Sequence, residues 1–162
     1  MDELTALRQA RQIMTNVTPL KDDCGLCCGH ACCAPDEDGQ GGMWLFPMEE
    51  TLYAKMPDGF IIREIEGRKL LTCAGHCDRA ARPLSCMLFP LLPKDKDGRI
   101  VVVRDRRGFC VCPLLESGLG GFDLRFKDAV REAGKILYEV PAHRAFLNQL
   151  HDDIDALKRM TL

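Results

Sequence analysis

No stretch of the 162-residue chain approaches the roughly 18 consecutive apolar residues of a membrane span. The opening residues, Met1-Asp2-Glu3-Leu4, carry neither a basic segment nor an apolar one, so a cytoplasmic protein without a membrane partner is expected. Charge of one sign is also lacking. The 22 Lys and Arg against 24 Asp and Glu leave a net charge of -2, and no Lys/Arg stripe stands out, which argues against a zinc ribbon that binds nucleic acid. There is no glycine-rich nucleotide loop, no HExxH pair and no separate acid/base constellation. Internal repeats and low-complexity tracts are missing too. With 46% hydrophobic and 28% charged residues the chain is not disordered, and its length suits a single domain, residues 1–162, with one core.

Cysteine is what the chain has in excess. Ten are present: Cys24, Cys27, Cys28, Cys32, Cys33, Cys73, Cys77, Cys86, Cys110 and Cys112. Without an export signal a disulfide framework is not expected, and thiolates held close in a reducing compartment usually hold metal. All ten are therefore candidate metal ligands. Structural zinc and a 4Fe–4S cluster each take four, so ten leave room for two sites and two spare thiols.

Hydrophobic spacing places these cysteines on a frame. Leu4, Leu7, Ala10 and Met14 predict an amphipathic helix over residues 3–14. Residues 21–115 form the cysteine-rich region, beginning with a loop that runs through Ala34-Pro35-Asp36-Glu37-Asp38-Gly39. A short strand is expected over Met43–Phe46 and a helix from Pro47 to Tyr53. Residues 60–65 and 69–72 predict a hairpin delivering Cys73, and residues 88–92 and 99–105 predict a second one leading to Cys110 and Cys112. Phe126, Val130, Ala133 and Leu137, then Phe146, Leu150, Ile154 and Leu157, predict two helices within residues 122–160, separated at Pro141. The fold class is α+β: a loop-rich cysteine core with short hairpins, packed on a C-terminal helical hairpin. The alternative for those helices is an arm for a protein partner.

Within the clusters the spacing has chemical meaning. Cys24-Gly25-Leu26-Cys27 is a C-x2-C step, which lets two sulfurs on one tight turn reach one metal, while Gly25 and Gly29 permit the bends. Cys27-Cys28 and Cys32-Cys33 are adjacent and would point to opposite faces of an extended chain, whereas Cys110 and Cys112 would share a strand face. His30 and His76 lie inside the clusters and are alternative ligands. A metal in four thiolates carries excess negative charge, which Lys21, Arg79 and Arg82 are placed to offset. For Arg82 an ordinary ion pair with Asp78 or Asp105 is favoured. Trp44-Leu45-Phe46-Pro47 and Phe89-Pro90 read as core.

Cys24-Gly-Leu-Cys27-Cys28, followed by Cys77-Asp-Arg-Ala-Ala-Arg82-Pro83-Leu-Ser-Cys86-Met-Leu-Phe89-Pro90, resembles the zinc- or iron-chelating domain family of CxxCxxCC cysteine-cluster proteins. The resemblance runs from about Cys24 to Pro90 and leaves the C-terminal helices uncovered. It implies zinc or iron, the latter as a 4Fe–4S cluster, with Cys24, Cys27, Cys28, Cys77 and Cys86 as ligands and Arg82-Pro83 as a structural turn. Lys21 stands where the family pattern has its first cysteine, so Cys32, Cys33, Cys73, Cys110 or Cys112 would replace it. Two functions follow: a metal-binding protein whose metal is structural with a redox role added, or a cluster-dependent enzyme of the kind associated with flagellin lysine N-methylase.

Overall fold

A computed structural model describes residues 1–33 and 41–160. The expected loop Ala34-Pro35-Asp36-Glu37-Asp38-Gly39 lies outside the described residues. Helix α1, Glu3–Met14, starts at Asp2, whose carboxylate accepts from the N–H of Thr5 (2.9 Å) and from its hydroxyl (2.6 Å). It buries Ala6, Leu7, Ala10 and Met14.

Two hairpins follow from turn chemistry. Strands β2, Ile61–Ile65, and β3, Arg68–Thr72, join through Glu66-Gly67, both at positive φ (50° and 78°), as a two-residue type I′ turn requires. Strand β1, Met43–Trp44, pairs with the other edge of β3. Strands β4, Leu91–Lys96, and β5, Arg99–Arg104, join in the same way through Asp97-Gly98 (φ 53° and 80°). Helices α4, Leu124–Glu139, and α5, Pro141–Met160, supply the expected C-terminal pair, with Pro141 opening α5 rather than merely ending α4.

The architecture is α+β, with one main core between α1, α4 and the β4–β5 hairpin. Gly134 lets α4 approach that hairpin closely, because a Cβ there would stand 2.3 Å from the Cβ of Pro93. A smaller apolar cluster, Leu45, Tyr53, Phe60 and Leu71, has Cys73 and Cys77 packed against it. No helix among the described residues is long and apolar enough to cross a membrane.

Several local expectations are corrected. The first strand ends at Trp44, and Pro47 does not begin a helix: Met48 takes φ 66° and a short 3-10 turn, Glu49–Leu52, follows. The apolar run at Leu88 is not yet strand, since Leu84–Leu88 form helix α3 and β4 begins at Leu91. A short buried apolar run suits either conformation, so periodicity could not separate them. Residues 106–110 leave β5 as a 3-10 turn.

The reversal at Met48 carries Glu49 into the interior, where it is completely buried. Its carboxylate accepts from the N–H of Phe46 (3.0 Å), the N–H of Leu84 (2.7 Å) and the guanidinium of Arg11 (2.8 Å). One side chain thus joins α1, the β1 connection and the first turn of α3. Burial outweighs these donors and holds the carboxyl above the usual range. Around it Arg11 also reaches the carbonyl of Ala80 (3.2 Å), the Tyr53 hydroxyl donates to that of Ala81 (2.9 Å), and Arg79 donates to those of Thr15 (3.2 Å) and Val17 (2.8 Å). The segment leading to α3 is thereby latched to α1.

Removing the cation from a buried ion pair strands its partner. Arg11→Leu is expected to lower the unfolding free energy by about 3 kcal/mol in urea denaturation. The loss should shrink as the pH falls, because Glu49 becomes protonated and no longer needs a counter-charge. A pH-independent loss would show that Arg11 acts by packing alone.

Candidate metal centre

The first cysteine block folds as two short turns. The Asp23 carboxylate accepts the N–H of Gly25 (2.9 Å) and opens helix α2, Gly25–Cys28, which ends at Gly29 in the left-handed region (φ 63°). His30 also takes positive φ (58°), and its ring folds back over Gly25, where a Cβ would stand 2.2 Å from ring atoms. Gly29 is therefore needed for its dihedral and Gly25 for close approach. A 3-10 turn, Ala31–Cys33, carries the second adjacent pair.

The second block is held more firmly. Cys73 follows the end of β3, and Cys77 precedes the 3-10 turn Arg79–Ala81, which Asp78 caps by accepting from Ala80 (3.0 Å). Cys86 lies on α3, whose first turn is bound by Glu49.

These segments enclose a cavity of about 210 Å³ lined by Cys32, Cys33, Cys73, Cys77, Cys86 and Arg82. A smaller cavity of about 50 Å³ shares Cys32, Cys86 and Arg82 and adds Cys24. On that side Cys24 has Cys28 and Cys112 as charge neighbours, and Cys32 has Cys24 and Cys28. Eight thiols thus form two adjoining groups. Cys27 and Cys110 are exposed and line neither cavity, and all ten cysteines are unpaired.

Other expectations change in detail. Cys32 and Cys33 are not on opposite faces: the 3-10 turn places both on the larger cavity, and their side chains hydrogen-bond. Cys110 and Cys112 do not share a strand face, since Cys110 closes the turn Arg106–Cys110 and Cys112 packs partly against the main core. Among the described residues Arg82 makes no ordinary ion pair. Asp105 is taken by Arg107 (2.6 Å) and Asp78 by its capping role, while Arg82 hydrogen-bonds Cys77 and faces Cys33 and Cys86. Arg79 spends its guanidinium on the carbonyls of Thr15 and Val17, just past the end of α1, and Lys21, His30 and His76 are exposed. Of the three cations expected near sulfur, Arg82 fills the role. Glu49, which anchors the helix bearing Cys86, was missed; its one signal was an acid between Met48 and an otherwise apolar approach, Leu45-Phe46-Pro47.

Among the described residues no three His, Cys, Asp or Glu donors are gathered tightly enough to hold a metal ion as they stand. In chemistry the donor set still fits a thiophilic centre, because five sulfurs and one guanidinium line a single cavity. Coordination would require the thiols to draw inward. The thiols are unequal: the hydrogen bond from Cys32, with Arg82 and His30 nearby, brings the Cys33 thiol down to about 6. Burial, with Asp23 and nearby thiols, pushes Cys24 up to about 11, and burial also raises Cys86.

A low thiol pKa gives thiolate at lower pH, so metal-free protein treated with iodoacetamide should be alkylated at Cys33 with a rate rising through pH of about 6. Cys24 should react appreciably only in alkaline solution. Peptide mapping across a pH series reads both, and simultaneous labelling of Cys24 and Cys33 near neutrality would contradict the assignment.

No family model matches the chain, and no curated protein or solved structure does so.

Proposed function

We propose that the protein binds zinc or an iron–sulfur cluster through thiolates drawn from the larger cavity, with Cys33, Cys73, Cys77 and Cys86 as the four-sulfur set. The observation that carries this reading is the meeting of cysteines from residues 32–33, 73–77 and 86 around one cavity that also receives Arg82. The sequence resemblance to cysteine-cluster chelating proteins points the same way. A zinc ion would supply structural cross-linking, and a 4Fe–4S cluster would add one-electron chemistry.

The chain's own residues have definite parts in this reading. Cys73 and Cys77 are presented by the segment after β3, and Cys86 by a helix fixed at its first turn. Arg82 donates to the Cys77 sulfur and offsets thiolate charge, a role its permanent cation fills at any physiological pH. Cys24, Cys28, Cys32 and Cys112 form the neighbouring group, so a second centre is within the protein's donor capacity. The free thiols suit reducing, cytoplasmic surroundings.

Protein purified without air should contain stoichiometric zinc and be colourless, or contain iron and sulfide with broad visible absorption. Absence of all three from protein reconstituted under reducing conditions would overturn the proposal. Cys77→Ser and Cys86→Ser are each expected to remove most of the bound metal, while Cys110→Ser keeps it. Equal retention in all three would reject the cavity as the site.

A further inference from the structure

A second surface, away from the cysteines, lies between β5 and α4. Five consecutive residues, 98–102, form one wall of a groove of about 820 Å³, and Lys127, Arg131 and Lys135 of α4 form the other. Among the described residues strand β5 pairs only with β4, and no strand lies on its outer edge. In a two-residue hairpin the residues flanking the turn, here Lys96 and Arg99, exchange both hydrogen bonds, and the pairing then alternates. Ile100 and Val102 therefore turn their backbone N–H and C=O away from β4. Pro93, opposite Val102, has no N–H to give to that pair, which agrees with this register.

The helical wall has a matching repeat. Lys127, Arg131 and Lys135 are spaced four residues apart, about 6 Å along a helix, while alternate residues of a strand are spaced about 6.6 Å. Arg99 adds a fourth cation at the hairpin end. This is a short basic stripe of the kind that composition concealed. Arg131 and Lys135 pair with Asp128 (2.6 Å) and Glu132 (2.7 Å), but these pairs are substantially exposed and contribute little to stability. Neither acid lines the groove, whereas apolar side chains do.

We propose that this groove takes an extended acidic segment of a partner protein, added to β5 as a third strand with carboxylates at alternate positions facing the α4 cations. The open backbone supplies affinity, and the charge repeat selects the segment. Among the described residues no aromatic side chain on which a base would stack lines the groove, which favours a carboxylate-bearing peptide over single-stranded nucleic acid.

The test uses the full chain and four fluorescent probes: a peptide alternating Glu and Val, two versions of it with alternate amides N-methylated in one register or the other, and an oligothymidylate. Anisotropy should show salt-sensitive binding of the Glu-Val peptide, weakened about tenfold or more by Lys127→Glu with Arg131→Glu, and lost on N-methylation in one register. Circular dichroism should show the double variant folded, since the Arg131 side chain is 41% exposed and Lys127 is half-buried with its ammonium bound to the carbonyl of Leu119 (3.1 Å). Failure of the Glu-Val peptide to bind would overturn the proposal and leave the cations as guards of an open edge. Equal binding of every N-methylated peptide would also overturn it, as would tighter binding of the oligonucleotide.

Discussion

The structure depends on one buried carboxylate. Glu49 has no contact with solvent, and its two oxygens collect donors from α1, the β1 connection and α3. Each donor would otherwise be buried without a partner or require another one. Because a buried charge is tolerable only when fully satisfied, these three segments must arrive together. The cost of burial leaves the carboxyl poised above its usual range, so the interaction specifies an arrangement more than it stabilises one.

From that arrangement the cysteine site follows. The same latch that holds residues 78–82 to α1 turns Arg82 toward sulfur and leaves Asp78 and Asp105 to local roles. Sulfur donors gathered without compensating charge would repel once ionised. The guanidinium, the Cys32–Cys33 hydrogen bond and the burial of Cys86 distribute that burden unequally, which is why the thiols differ so widely in acidity.

Helices α1, α4 and α5 and the presence of both hairpins were legible because each is set by local signals: helical spacing around Leu7 and Phe126, and turn residues at Glu66-Gly67 and Asp97-Gly98. The second turn, expected over residues 94–98, tightens to Asp97-Gly98 because β4 runs on to Lys96. Helix α3 was hidden because its apolar run also suits a strand. That cysteines from three segments would meet was expected from hairpin delivery, but which ones would meet was not. Cys27 and Cys28 are neighbours in sequence and still differ in exposure, a difference created by the turn of α2 and not by residue type. The direction of Arg82 was equally illegible, since it depends on Arg107 claiming Asp105.

The contrast between the two cysteine blocks has a kinetic meaning. Cys86 stands on a helix whose first amide is bound to the interior, whereas Cys32 and Cys33 stand on short turns beside a left-handed glycine. Such turns reorganise faster than an element tied into the core. A centre shared between them would be captured and surrendered from the residue 24–33 side, with α3 remaining as the fixed jaw. Exchange rate and equilibrium affinity would then be set by different parts of the chain, and either could change without the other.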